Sequence, residues 1–391
     1  MGYTRNQHML SQWFLRNFRS DDTAQSPKEK QRVWAHVVVP TAEGKNDIKD
    51  IPLPISSVAV CKDCFRLTDG DTGEVFDIEH ELSDYEQDMA LLVRDLVQNH
   101  NFARLANCDT DDFPVEKLAS FAIFQMLLNL NNPQSRFPGK NELFQSFINL
   151  VKNNLQHIIS ETISLSDVMP ELAALSIYQK LIRIARSSSG DDEKAKAMFV
   201  LFSLLALQGK ITMIDTMAWL RGEVFSGIHR VDIFHTGHHF YSTEPRPVFT
   251  VSPNVFCKMT EERVLYLPLA HNLALKFYQY PEHGFFTPLE INVFSPDPQK
   301  LLTKDMSRIK VYKCSYDYID QVMSTIDMYN VGFSNIIYSS WQLSDVENYL
   351  RLQNEHHDTY YLPEHPVCWT ALLQIVGGDK LIIPLVMTPT Y

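Results

Sequence analysis

Residues 118–130, Leu-Ala-Ser-Phe-Ala-Ile-Phe-Gln-Met-Leu-Leu-Asn-Leu, constrain the fold more than any other part of this chain. Pro114 opens the stretch as a helix, because proline at a first-turn position misses no needed N–H. Beside the small Ser120, Gln125 and Asn129 break its apolar surface. A helix that is apolar nearly all round has no face for water and belongs at the centre of a fold. The stretch is shorter than the roughly 20 residues of a membrane span, and so is the apolar run at 198–207. The rest of the chain must therefore wrap this helix.

With 391 residues the chain suffices for one large domain or two ordinary ones. A hydrophobic content of 45% and an aromatic content of 11% fill a core and exclude a disordered chain. The net charge of −12, from 47 acids and 35 bases, disfavours general binding to nucleic acid or anionic membranes, leaving room for a local basic face. Six cysteines, at 61, 64, 108, 257, 314 and 368, are too few and too scattered for a secreted disulfide scaffold. Arg5, Gln7 and His8 stand where a signal peptide needs its apolar core, and Asn6 spoils a myristoylation signal. The expected location is the cytoplasm, with no membrane partner.

Residues 1–77 read as a short helix or strand followed by β structure. Strands are predicted at 33–39 and 55–60, with a polar loop at 43–50 between them. A hairpin turns at Thr68-Asp69-Gly70-Asp71-Thr72-Gly73. Residues 78–220 read as helical, opened by a Ser83-x-x-Glu86 capping box. Further helices are predicted near 140–160, 168–187 and 192–208, with a break at 187–192. From 221 to 340 the pattern returns to strands (231–234, 248–251, 264–267, 273–278) and then helices (297–309, 316–328). Residues 341–391 read as an extension of one helix, at 344–355, and a β-hairpin turning at Gly377-Gly378-Asp379. Strands and helices without regular alternation predict an α+β fold. In it a helical core is flanked by β segments from the N- and C-terminal thirds that share a sheet, here drawn from strands near 33–77 and 231–278.

Chemistry-bearing groups fall in a few places. His8 is a base or metal ligand on one reading, and a hydrogen-bonded core histidine on the other. His235, His238 and Glu244 form a ligand set for a first-row divalent metal, which makes such a metal the candidate cofactor. Against it, His-rich loops are common, and a straight strand sends His238 and His239 to opposite faces. Cys61-x-x-Cys64 lacks the second ligand pair of a zinc site, and two reduced thiols is the plainer reading. The acids from Asp77 to Asp88 surround His80 and suit Mg²⁺, but acids gather in the first turn of any helix. Lys300, Lys304 and Arg308 make a basic stripe for nucleic-acid contact or merely a solvated helix face. No nucleophile elbow, Walker loop or Gly-x-Gly-x-x-Gly occurs, which sets aside three common enzyme classes.

The opening block Gln7-His8-Met9-Leu10-Ser11-Gln12-Trp13-Phe14-Leu15-Arg16-Asn17-Phe18 resembles the start of a mostly bacterial family of unknown function. That family carries a His-Tyr-Val-Pro signature followed by an aromatic-Leu-x-x-Phe run. The likeness continues through 58–65, through 78–86 with its acidic lead-in to a helix, and through Phe240-Tyr241-Ser242-Thr243-Glu244. It runs on through Leu265-Tyr266-Leu267-Pro268-Leu269 and 327–339, covering about 5–340 as a single domain. Here Met9-Leu10-Ser11 replaces Tyr-Val-Pro, Thr243-Glu244 replaces Ser-Asp, and Asp327 stands where Asn is usual. A sheet shared by strands near 33–77 and 231–278 would bring His8 towards Thr243 and Glu244 as a general-base or metal-ligand group, supported by His238, Asp327 or Asn330. By analogy the resemblance implies a nuclease or phosphodiesterase-like toxin or anti-phage effector. The alternative is a binding, sensing or interaction protein, with a protein partner, in which the signature residues are structural.

Overall fold

The computed structural model describes residues 6–8, 10–40, 46–62, 66–77, 79–106, parts of 114–125, 176–191, parts of 193–201, 228–236, 248–253, 257–259, 264–279, 289–301, 309–333 and 336–342. These carry both helices and sheets, and the class is α+β.

The chain opens with strand β1 (Asn6–His8) and a single helical turn, α1 (Gln12–Leu15), continued by a 3-10 turn at Arg16–Phe18. Strands β2 (Arg32–Pro40) and β3 (Asn46–Pro54) pair antiparallel over their full length. Next come β4 (Val60–Lys62), paired with β1, and the hairpin β5 (Arg66–Thr68) to β6 (Val75–Asp77). At the foot of that hairpin Gly73 has φ +67, a left-handed conformation that favours glycine. Helix α2 (Glu79–Asn99) follows, and α3 (Ser176–Arg186) comes later in the helical part. The described residues of 114–125 and 191–201 are also helical.

A six-stranded sheet forms the second half. It comprises β7 (Ile228–His235), β8 (Cys257–Met259), β9 (Val264–Ala270), β10 (Leu273–Gln279), β11 (Glu290–Ser295) and β12 (Ile309–Lys313), in the order β12-β11-β7-β10-β9-β8. The first three strands in that order run parallel and the rest antiparallel. Helix α4 (Tyr316–Phe333) and strand β13 (Ile336–Ser339) complete the described fold.

Residue alternation along the sheet separates two apolar layers. Val231, Ile233, Leu265, Leu267, Leu275, Phe277, Ile291 and Val293 join Phe14, Leu96, Phe121 and Leu181 in the main core. Phe234, Val264, Tyr266 and Ala274, on the other face, pack with Ile319, Val322, Met323 and Ile326 of α4. The central-helix expectation holds for the residues described: Leu118, Phe121, Ala122 and Gln125 are fully buried.

Some boundaries differ from expectation. β3 begins at Asn46, inside the predicted loop, because it is an outer strand with Ile51 and Pro52 exposed, so no apolar alternation announces it. The predicted strand at 55–60 is a 3-10 turn, Ile55–Ser57, with β structure only from Val60. Helix α2 starts at Glu79, four residues ahead of the expected cap at Ser83. Of the predicted helix at 297–309, Pro298–Leu301 is a 3-10 turn and Ile309 begins a strand, while 302–308 lie outside the described residues. The expected strand at 248–251 reduces to one bridge, Val251 to Tyr338. N- and C-terminal thirds do share a sheet, through β13 on β2. The strands at 231–278 lie apart, in the six-stranded sheet. The helices expected at 140–160 and 344–355 and the terminal hairpin lie outside the described residues.

Phe14 is fully buried, with ring centroids of Phe121 at 5.4 Å and Phe18 at 5.6 Å. We expect Phe14→Ala to cost about 3–5 kcal/mol in guanidinium unfolding. A loss below roughly 1 kcal/mol would mean that the opening segment is not part of the core.

Candidate functional site

A single helical turn is unstable alone, so α1 owes its place to burial. Phe14, Leu15 and Phe18 are fully buried, and the half-buried Trp13 ring lies 5.5 Å from Phe121. Gln12 and Arg16, four residues apart, lie on a shared side of the turn, and Arg19 follows it in extended backbone. All three are half-buried. Two backbone ties fix the ends of the block. His8 pairs with Val60 across β1 and β4, and the His271 N–H donates to the Asn17 carbonyl at 3.1 Å.

A polar chain runs along that side. The Gln12 amide N–H donates to His8 Nε2 at 3.2 Å, and Arg16 Nη2 donates to Gln12 Oε1 at 3.1 Å. Arg19 Nη1 donates to the Arg16 carbonyl at 2.7 Å. His8 Nε2 also lies 3.3 Å from the Ser56 carbonyl, which it bonds when protonated there. Burial holds the His8 pKa below its ordinary value; the Ser56 carbonyl opposes this and the Arg16 charge adds to it. His8 is therefore neutral at pH 7, the form in which an imidazole accepts a proton.

Beneath this chain, Trp13 Nε1 donates to Glu86 Oε2 at 3.3 Å. Burial raises the Glu86 pKa, and hydrogen bonds from the Ser11 hydroxyl and from Trp13 moderate the rise. Glu86 thus joins the opening block to α2 instead of capping that helix, as the Ser83-x-x-Glu86 spacing led us to expect.

The second group expected at the site is only partly described. Thr243, Glu244 and His238 lie outside the described residues, so the His8–Glu244 pairing is not placed. Beyond that segment, the Thr250 hydroxyl donates to Asp327 Oδ1 at 2.5 Å, and Asn330 Nδ2 donates to Thr250 Oγ1 at 2.8 Å. Asp327 and Asn330, the two supporting residues of the sequence reading, thus meet at a threonine that it passed over. Burial lifts the Asp327 pKa to about 7, against the Thr250 bond.

His235 is buried at the end of β7, its ring 4.8 Å and edge-on from His100. His100 follows α2 with φ +51, the left-handed conformation that ends many helices. Among the described residues no three metal-ligating side chains gather. Cys61 lies in β4 and Cys64 outside the described residues. Arg66 and Leu67 are in a strand, which removes the helix that a thioredoxin-like motif would open. Lys300 lies on the 3-10 turn at Pro298–Leu301, while Lys304 and Arg308 are outside the described residues. The four-residue spacing of the stripe therefore has no described helix beneath its first member.

One cluster went unread. The fully buried Asp232 accepts Arg230 Nε and Nη2, both at 2.7 Å, Tyr278 Oη at 2.8 Å and Asn292 Nδ2 at 2.9 Å. Four donors occupy the carboxylate, which marks it as an anchor of the sheet and not a free base. Only the strand register brings these residues, on β7, β10 and β11, side by side.

The fold and this corner define an α+β protein whose opening block is built into its core. The chain belongs to the family described as Protein of unknown function (DUF4238), which it matches over residues 6–283. No curated protein and no solved structure matches it.

Asp327 gives a pH test. Its folded pKa of about 7 exceeds the unfolded value of roughly 3.9, so the folded chain holds the proton more tightly. Its contribution to stability is complete below about pH 4 and is lost as pH rises towards 7. Asp327→Asn should flatten that part of the stability profile, followed by thermal melts from pH 4 to 8. An unchanged slope would show that Asp327 titrates as an exposed acid.

Proposed function

We propose that this chain is a cytoplasmic bacterial hydrolase of phosphoester bonds, nuclease or phosphodiesterase-like, working as a toxin or anti-phage effector. One observation carries the reading. His8 is a neutral, half-buried imidazole joined through Gln12 to the Arg16 guanidinium, so a base stands beside a cation. A base that deprotonates water beside a group that takes up negative charge is the minimum for phosphoester hydrolysis. His8 would act as the base, with Glu244 and Thr243 completing the group and His235, His238 and Glu244 available to a divalent metal. No helix among the described residues is long and apolar enough to cross a membrane, in keeping with a cytoplasmic site of action. The His-Tyr-Val-Pro resemblance supplies the bacterial setting.

A second reading has its own support. Trp13 and Glu86 tie the opening block to α2, so the signature also does structural work, as it would in a binding or sensing protein.

The purified chain, incubated with DNA, RNA and a generic phosphodiester in Mg²⁺, Mn²⁺ or Zn²⁺, should cleave at least one of them. His8→Ala should lower turnover about 10²–10⁴-fold. The acid limb of the rate should lie below the ordinary histidine value of roughly 6.5, since the His8 pKa is lowered. Cleavage of none of them, or His8→Ala turning over like the natural chain, would sink the hydrolase reading and leave the binding one.

A further inference from the structure

Arginines near the core elsewhere in this fold have carboxylate partners. Arg230 pairs with Asp232 at 2.7 Å, and Arg104 lies 3.5 Å from Asp95. Arg16 and Arg19 do not follow that rule. Neither has a carboxylate partner among the described residues, and the Nε–H of each is buried with no acceptor. Their hydrogen bonds go to neutral oxygens, Gln12 Oε1 and the Arg16 carbonyl. The nearby acid, Glu86, takes its bonds from Ser11 and Trp13 instead.

Among the described residues this corner thus collects positive charge with no carboxylate to balance it. The Arg19 charge disfavours the charged form of Arg16, beside the larger effect of burial, and the Arg16 charge disfavours that of His8. A buried or half-buried guanidinium loses hydration and normally recovers it from an anion. Arg16 and Arg19, held together by the bond from Arg19 to the Arg16 carbonyl with Phe14 and Phe18 buried behind them, have no such compensation among the described residues. An anion supplied from outside would compensate the loss.

Its chemistry follows from charge and shape. A guanidinium presents a planar fork of donors that matches two oxygens of a phosphate. A phosphate monoester carries about −1.5 to −2 at neutral pH, enough to answer two arginines, whereas a carboxylate answers one. We propose that Arg16 and Arg19, with Gln12 and His8 beside them, form the seat of a phosphate group. This deepens the hydrolase reading by naming the ligand of the same corner, and rests on it only for location, because a phosphate held there need not be cleaved.

The test is phosphate titration of the full chain by calorimetry and thermal melting, against chloride at matched ionic strength. The natural chain should melt higher as inorganic phosphate rises, following ligand linkage. Arg16→Gln and Arg19→Gln should each weaken phosphate roughly tenfold or more. In phosphate-free buffer Arg19→Gln should melt no lower than the natural chain, since it removes an unpaired repulsive charge. Arg16→Lys and Arg19→Lys keep the charge but lose the fork, so their affinities should be intermediate, and they decide the matter if a glutamine variant fails to fold. A mononucleotide and a short oligonucleotide, compared at equal phosphate, distinguish a terminal phosphate from one within a chain. A melt of the natural chain that ignores phosphate, or variants that titrate like it, would overturn the proposal. A natural chain that binds phosphate but turns over no substrate counts against the hydrolase reading alone. Phosphate-blind variants of a chain that never hydrolyses anything still support the seat.

Discussion

Burial of the Phe14–Phe18–Phe121 aromatic group is the interaction on which the rest depends. It converts a four-residue helix, with no stability of its own, into a fixed platform. Every polar contact of the opening block presupposes that platform. Without it Gln12 does not reach both His8 and Arg16, and Trp13 does not find Glu86. The order of causes runs from apolar area to geometry to electrostatics. Aromatic burial sets the position, and position then sets which charges must live close together.

That arrangement carries an electrostatic strain that the other clusters avoid. Asp232 is buried more deeply than either arginine of the opening block, yet four donors leave it satisfied. Asp327 has the neutral Thr250 hydroxyl as its hydrogen-bond donor and compensates by holding its proton, with a pKa of about 7. Arginine has no such escape, because it stays charged at any physiological pH. The same chain therefore handles buried charge in three ways: full pairing, neutralisation, and an imbalance left on one corner.

Much of the fold was legible because it rests on local signals. β2, β9, β10 and α4 follow from alternation and helical spacing, and the β5–β6 hairpin from its glycine-bearing turn. β3 was not, because an outer strand half in solvent carries no apolar alternation. Of the site, His8 stood out through its sequence context, and so did Asp327 and Asn330, but not what they touch. Arg16 and Arg19 were in plain view in the opening block. Their importance lies in lacking a counter-charge, which is a property of space and not of spacing. Thr250 and Asp232 were hidden for the same reason, since their partners lie on elements far along the chain.

The pairing of β13 with β2 has a consequence for synthesis. β2 is the middle strand of its sheet, flanked by β3 immediately and by β13 only near the end of the described chain. The ribosome therefore delivers the β2–β3 hairpin with one side of its central strand bare, and that side stays bare while the helical part and the six-stranded sheet are made. An uncovered strand edge is a template for pairing with other chains. Slow, long-range closure extends that exposure. For a nascent copy of this protein, the hazard of aggregation ends when Ile336–Ser339 arrives to close the seam.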